Sequence, residues 1–347
     1  MTSGLTRQRQ KFDRPEVSVI VPFFDEEATL TSLFGKIVAV LDPLNTSFEV
    51  IFVNDGSNDG GENAVRALAA GDARAHLVNL RRNFGKSAAL SAGFKAACGD
   101  IVVTMDADLQ DDPSELPNFL NKIAEGADVV AGWKQIRHDP VEKTLPSRLF
   151  NAAVNRTFGL TLHDHNCGFK AYRAEALTEL NLYGELHRFI PALLFARGYR
   201  IVEVPVTHHP RRYGQSKFGP RRLIKGALDL LTVSLTTRYG ARPLHLFGGT
   251  GLIFGVLGFT VLAYLSVLWL LGMGPIGDRP LLMLGMLLVL FGSQLVGIGL
   301  LGELILARTI REQDKYSIKV DHEPRSRQVS VERTPDSSPI TFADVPK

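Results

Sequence analysis

The stretch Ile101–Pro113, IVVTMDADLQDDP, sets a run of apolar, mostly β-branched residues directly against four aspartates. The apolar run reads as a buried strand, so the acids fall at its carboxyl end, where open α/β sheets bind their ligands. If the extended chain continues past Met105, then Asp106, Asp108 and Gln110 stand at alternate positions and share one face. Two carboxylates and an amide oxygen on one side form a hard-oxygen donor set for Mg2+ or Mn2+. Carboxylates this close need a positive charge between them. Asp111 and Asp112 read differently, one of them as the cap of a helix with Pro113 in its first turn.

Outward from this stretch, further β-branched runs lie at Val17–Val21, Val50–Val53, Val129–Ala131 and Ile201–Val206. Helical patterns separate them near Glu27–Leu41, Gly61–Ala70, Gly85–Ala97 and Ser114–Ala124. The alternation predicts an α/β domain with a mostly parallel sheet. Its other strand ends also carry polar groups. In VIFVNDGSNDG, Asn54, Asp55 and Ser57 can bond a base or ribose, or simply close an Asx-type turn. In VIVPFFDEEATL, Pro22 and Phe23 offer a rigid apolar edge and Glu26 an acceptor. In LRRNFGKSAAL, Arg81, Arg82 and Lys86 surround a glycine at a helix start. A lysine opposes the helix dipole there, which points to an anionic neighbour such as a diphosphate.

Two runs, Leu244–Leu271 and Leu281–Leu301, contain no Asp, Glu, Lys or Arg. Each exceeds the roughly 20 residues needed to cross a bilayer, and the GMGPIGDRP between them is turn-like. Arg238 and Arg242 before the first run, and Arg308, Arg311 and Lys315 after the second, outweigh Arg279 in the loop. The excess predicts two spans of an inner (plasma) membrane, with both termini and the N-terminal domain cytoplasmic. Gly248, Gly251, Gly255, Gly297 and Gly299 are read as helix-packing positions, which leave room for a homo-oligomer. Basic residues from Arg211 to Lys225, followed by Leu223, Ile224, Leu228, Leu230 and Leu231, predict an amphipathic segment lying on membrane lipid. The expected organisation is an extension (1–16), a nucleotide-binding domain (17–219), an interfacial helix (220–240), spans at 244–271 and 281–307, and a disordered tail (312–347). The N-terminal residues lack the apolar core of a secretory signal. A net charge of +3 is too small to imply nucleic acid. Cys98 and Cys167 form no C-x-x-C pair, so no zinc site or disulfide is expected.

Taken in order, VPFFDEE, VNDGSNDG, NFGKSAAL, MDADLQDDP, DHNCGFKAY, HRFIP and RRYGQSK resemble the inverting family-2 glycosyltransferases that load sugars onto polyprenyl phosphates, dolichol-phosphate mannosyltransferases among them. The resemblance spans about Val17 to Lys217 and implies a GT-A fold. It implies that Pro22, Phe23, Glu26 and Asp55 hold the nucleoside. Lys86, Asp106, Asp108 and Gln110 would then meet the diphosphate and a Mg2+ or Mn2+ ion, with Asp108 and Gln110 as direct ligands. The donor is a nucleotide sugar, UDP-linked ahead of GDP-linked, and the acceptor is a polyprenyl phosphate. That acceptor is largely dianionic at neutral pH, so it needs cations to aim it more than a base. Arg148, Arg188, Arg211 and Lys217 are the candidates. Asp164 aligns with an acid near the reacting centre, acting as base or orienting a donor hydroxyl. The histidines of H-D-H are not read as a zinc site. A processive synthase is disfavoured by the lack of a Q-x-x-R-W element. The intact DADLQ and GQSK motifs argue against a non-catalytic sensor or scaffold.

Overall fold

The valines of VSVIVPF explain why the sheet is covered on both sides. In β1 (Val17–Phe23), Val17, Val19, Val21 and Phe23 enter one apolar cluster while Ile20 enters the other. β2 (Phe48–Asn54) divides likewise, with Phe48, Val50 and Phe52 on the first face and Ile51 and Val53 on the second. Strands buried on both faces read as continuous apolar runs, as these do. The computed structural model describes residues 14–135, 141–180, 182–209, 221–238, 242–277 and 279–309. The expected disordered tail, most of the N-terminal extension and the 210–220 segment lie outside the described residues.

Helices α1 (Glu27–Leu41), α2 (Gly61–Gly71) and α3 (Lys86–Ala96) connect the early strands, with β3 (Ala75–Asn79) and β4 (Ile101–Thr104) among them. There follow α4 (Leu116–Ala124), β5 (Val129–Lys134), α5 (Val141–Phe158), β6 (Lys170–Arg173), α6 (Ala174–Thr178), α7 (Ile190–Ala196) and β7 (Ile201–Val206). The sheet order is β3-β2-β1-β4-β6-β5-β7. β6 runs antiparallel to both β4 and β5, and the other pairings are parallel. This is the GT-A arrangement. The first face packs Leu30, Leu33 and Ile37 of α1 with Leu116 and Phe119 of α4, where Phe119 stacks on Phe169 at 4.3 Å. Burying such a side chain contributes about 1.5–3 kcal/mol. The second face packs Leu90 of α3, Val154 of α5 and Ile190 of α7.

β3, α5 and β6 were not anticipated. β3 is a half-buried edge strand, β6 is four residues long and begins with a lysine, and α5 carries Pro146, which disfavours a helix interior.

α8 (Arg221–Arg238) leads toward α9 (Pro243–Leu270) and α10 (Pro280–Thr309). The last two are long and apolar enough to cross a membrane and are largely unburied. Their backbones touch: a Cβ on Gly251 would lie 2.5 Å from the Gly292 carbonyl, and one on Gly258 would lie 2.8 Å from that of Gly285. Gly285, Gly292 and Gly299 thus line one seam. Gly297, read as a packing position, faces open space instead. At one end, the Leu244 N–H donates to Glu303 Oε2 at 3.4 Å.

Candidate active site

β4 ends at Thr104, earlier than the extended reading requires. Met105 N–H still donates to the Ile20 carbonyl at 3.0 Å, and the chain then turns, with Leu109 left-handed at φ 59°. That conformation costs a non-glycine residue about 1–3 kcal/mol. The Leu109 side chain is anchored against the first core cluster. Asp106, Asp108 and Gln110 therefore surround a turn rather than sharing one strand face, which corrects the expectation.

Asp106 pairs with the Lys86 ammonium. It also lies so close to Gly168 that a Cβ there would fall 2.5 Å from the carboxyl group. Burial pushes the Asp106 pKa up, but Lys86, then Lys134 and Lys170, outweigh it and hold the carboxylate well below its usual range. Asp108 is buried, and its Oδ1 accepts from the Gln110 N–H at 3.2 Å. Asp112 is the cap, accepting from Ser114 N–H at 3.0 Å at the start of a 3-10 turn, Pro113–Glu115. Asp111 is a buried ion-pair partner instead: Lys134 Nζ lies 3.2 Å from Oδ1 and His208 Nδ1 3.6 Å. Neither of its oxygens has a well-formed hydrogen bond. Burial raises its pKa, yet Lys134 and His208 leave it lowered overall.

Beside this turn, an open cleft of about 450 Å³ lies at the ends of β1 and β2. Phe24, Asn54, Ser57, Arg81, Arg82 and Asn83 are among its walls. The ring of Phe23, named above as a nucleoside contact, is buried in the core against Gly61. Its neighbour Phe24 faces the cleft. Pro22 is half-buried in β1, and Glu26 opens α1, its carbonyl accepting from Thr29. The Asx turn is realised: Asn54 Oδ1 accepts from Ser57 N–H at 2.8 Å. The Asp55 carboxylate accepts from the N–H groups of Phe84 and Gly85 at 2.8 and 3.0 Å. It thereby fixes the loop that delivers Lys86. Gly56, at φ 72°, comes so near Arg82 that a Cβ would lie 2.4 Å from its backbone.

On the other side of Asp106, Lys86, His165, Lys170, His187 and Arg188 line a cavity of about 10 Å³, room for about one water. Arg188 is buried, its Nη2 donating to Glu185 at 2.7 Å while Nε has no partner. Lys170 donates to the carbonyls of Cys167 and His165, and burial lowers its pKa. Asn155 Nδ2 donates to the Leu162 carbonyl, which fixes the amide. His165 Nε2 then donates to Asn155 Oδ1 at 2.8 Å, leaving Nδ1 bare. Burial lowers the His165 pKa to about 4, so the ring is neutral. Burial also pushes the Cys167 thiol up to about 12, which excludes it as a nucleophile near neutral pH. Asp164 is buried and closes its own loop by accepting from Asn166 N–H at 3.0 Å. His163 stacks on Trp133 and bonds Glu203 at 2.7 Å. Arg211 and Lys217 lie outside the described residues. Arg148 falls within α5, with its side chain likewise outside them.

Among the described residues, no three His, Cys, Asp or Glu side chains form a closed metal site. Two carboxylates and the Gln110 amide oxygen are an open, all-oxygen set. It suits Mg2+ or Mn2+, which keep positions for water and phosphate oxygens. Phe24, Lys134, Lys170 and Gly168 belong to the site and were not singled out in the sequence, and Asp111 was read there only as a candidate cap. Lys170 and Gly168 stand inside a quoted motif, GFKAY.

Residues 18–180 match the glycosyl transferase family 2 model. Dodecaprenyl-phosphate galacturonate synthase of Rhizobium johnstonii is 39% identical over 305 residues, covering 86% of this chain and 90% of that one. Undecaprenyl-phosphate 4-deoxy-4-formamido-L-arabinose transferase of Pseudomonas aeruginosa is 37% identical over 307 residues, covering 87% and 89%. Among solved structures, glucosyl-3-phosphoglycerate synthase from Mycobacterium tuberculosis, in complex with Mn2+ and UDP-glucose, is 25% identical. It matches with a TM-score of 0.48 over 64% of this chain and 79% of that one.

Proposed function

The chain belongs to glycosyl transferase family 2, among its polyprenyl-phosphate sugar transferases, and from that premise we propose a specific reaction. One sugar moves from a nucleotide sugar, UDP-linked ahead of GDP-linked, to a polyprenyl phosphate on the cytoplasmic leaflet, with inversion. The observation that carries this reading is the grouping at one end of the sheet. Asp106, in the turn with Asp108 and Gln110, pairs with Lys86, which lines a small cavity with Lys170 and Arg188. Asp55, beside the cleft residues Asn54 and Gly56, fixes the loop that carries Lys86. The two apolar helices that follow are long enough to anchor the chain in the membrane that carries a lipid acceptor, which supports this reading.

A phosphate oxygen of the acceptor attacks the anomeric carbon. The bond from that carbon to the diphosphate breaks, and its electron pair leaves with the nucleoside diphosphate. No proton need move, because the acceptor arrives as a dianion. Lys86, at the start of α3 beside Asp106, is placed to take part of the charge that grows on the leaving diphosphate. Arg188, with its bare Nε, and Lys170 set a positive potential that holds the acceptor phosphate without protonating it. Asp108 and Gln110 would hold a Mg2+ or Mn2+ ion, which when bound supplies Lewis-acid neutralisation of the diphosphate. Asp164 orients its loop and sits within the cation field of Lys170.

The named relatives act with a hexuronate and a formamido-pentose, so a donor panel starts there and extends to glucose, mannose and N-acetylglucosamine. The test is transfer of radiolabelled sugar into organic-extractable lipid by the purified protein with polyprenyl phosphate and Mg2+ or Mn2+. Label that disappears with EDTA and with Asp108→Ala supports the reading. Folded protein that binds UDP yet labels no lipid from any donor overturns it and leaves a nucleotide-sugar sensor.

A further inference from the structure

Beyond β7 the chain doubles back along the loop that carries the proposed metal ligands. Asp111 and His208 form an isolated antiparallel bridge. The His209 N–H donates to the Gln110 carbonyl at 2.8 Å, and the Gln110 side-chain Nε2 donates to the His209 carbonyl at 3.3 Å. Contacts on either side lock this strap. Thr207 donates through N and Oγ1 to Glu115 Oε1 at 3.3 and 3.0 Å. His209 Nε2 donates to Asp112 Oδ2 at 3.0 Å, and beneath it Asp111 is held by Lys134.

The strap decides which atom of Gln110 a cation meets. A side-chain amide offers an oxygen on one side and two N–H donors on the other. The His209 carbonyl can only accept, so it takes the NH2 group and turns Oε1 away from itself. Rotated by half a turn, the same amide would present N–H donors to a cation and could not coordinate it. The turn containing Gln110 has little regular structure of its own, since β4 ends at Thr104 and Leu109 is left-handed. Its shape therefore depends on a partner from elsewhere in the chain.

We propose that the His209 imidazole is a positioning group for the divalent cation: by holding Asp112 it keeps the strap in register, and with it the main-chain carbonyl that orients the Gln110 amide. The inference rests on the reading of Asp108 and Gln110 as ligands. Outer partners of this kind are typically worth 10–100-fold in metal affinity.

The experiment is Mn2+ titration of the full-length protein in detergent, in the presence of UDP, followed by the EPR signal of free Mn2+. His209→Ala is expected to weaken Mn2+ binding at least tenfold. His209→Gln, which keeps a donor for Asp112, should recover most of that loss. UDP affinity without metal and the melting temperature should stay near wild type in both, which separates positioning from general damage. Asp108→Ala, run alongside, should abolish the site. If Asp108→Ala abolishes Mn2+ binding while His209→Ala binds it as wild type does, the role of His209 is overturned and the ligand assignment stands. If Asp108→Ala binds Mn2+ unchanged, both fall together.

Discussion

Two carboxylate clusters, each built on a buried acid, lie at opposite ends of the same sheet, and they are satisfied in different ways. Near the strand starts, Glu49 accepts from Ser18 Oγ at 2.7 Å and from the Cys98 N–H at 2.8 Å. Ser18 Oγ in turn accepts from the Gly99 N–H at 2.8 Å. That cluster is closed by fixed backbone donors, and none of its described buried side-chain atoms lacks a partner. Near the strand ends, Asp106 and Asp111 are balanced by lysine ammonium groups. There Asp111 Oδ1 and Oδ2, His208 Nδ1, His165 Nδ1 and Arg188 Nε have no hydrogen bond. An unmet buried polar group costs stability. The cost is borne at the end of the sheet where the proposed site lies and avoided at the other.

The sharpest way to break this comparison is to remove a group from each end and watch different quantities fail. Asp108→Ala should lower kcat/KM for lipid labelling about a thousandfold, equivalent to ~4 kcal/mol of barrier, while the melting temperature moves little. Lys134→Met attacks the same end through folding. It leaves buried Asp111 with only the His208 ring, 3.6 Å away, and breaking a buried pair in this way costs about 3–5 kcal/mol. Thermal denaturation should show this as a large fall in melting temperature. Adding Asp111→Asn should restore much of it, since the uncompensated charge is then gone.

Residue parity explains how much of this was legible beforehand. The alternation Val17, Val19, Val21 assigns Phe23 to the first apolar cluster, and Phe24, just past the end of β1, lines the cleft. The motif resemblance drew attention to Phe23, whereas the ring at the cleft is that of its neighbour. The strands and helices with strong periodicity were readable, and so were the two apolar helices. What could not be read locally depended on distant partners. Asp111 was open to reading as a cap because Lys134 and His208, which bury it, come from β5 and from the segment after β7. The left-handed turn at Leu109 has no glycine to announce it and is held by core packing. β6 is short and opens with a lysine that is polar in sequence but buried beneath the site.

Acid sharpens the contrast by a further, smaller step. His165 has a folded pKa near 4, lowered by burial, against 6.5 when unfolded. As pH falls below 6.5 the unfolded chain takes up a proton that the folded chain refuses, so stability declines until about pH 4. The full loss is about 3 kcal/mol. Urea denaturation at stepped pH should show this slope in wild type and a shallower one in His165→Gln, which keeps a donor for Asn155.

The smallest effect belongs to the closed cluster, and it tests whether that cluster is purely structural. Ser18 Oγ and Cys98 N–H both donate to Oε1 of Glu49, so Glu49→Gln keeps both bonds and puts its NH2 in place of Oε2, which faces His76 Nε2 at 3.5 Å. Only the contact of Oε2 with the half-exposed His76 ring is lost, a cost of about 0–1 kcal/mol. Denaturant midpoints should register that loss with an unchanged slope. Because Glu49 is separated from Asp106 by the length of the parallel strands, kcat/KM should remain within twofold of wild type. A larger fall in kcat/KM with little loss of stability would mean that the two ends of the sheet are coupled, and that the division between a structural pole and a reactive pole is wrong.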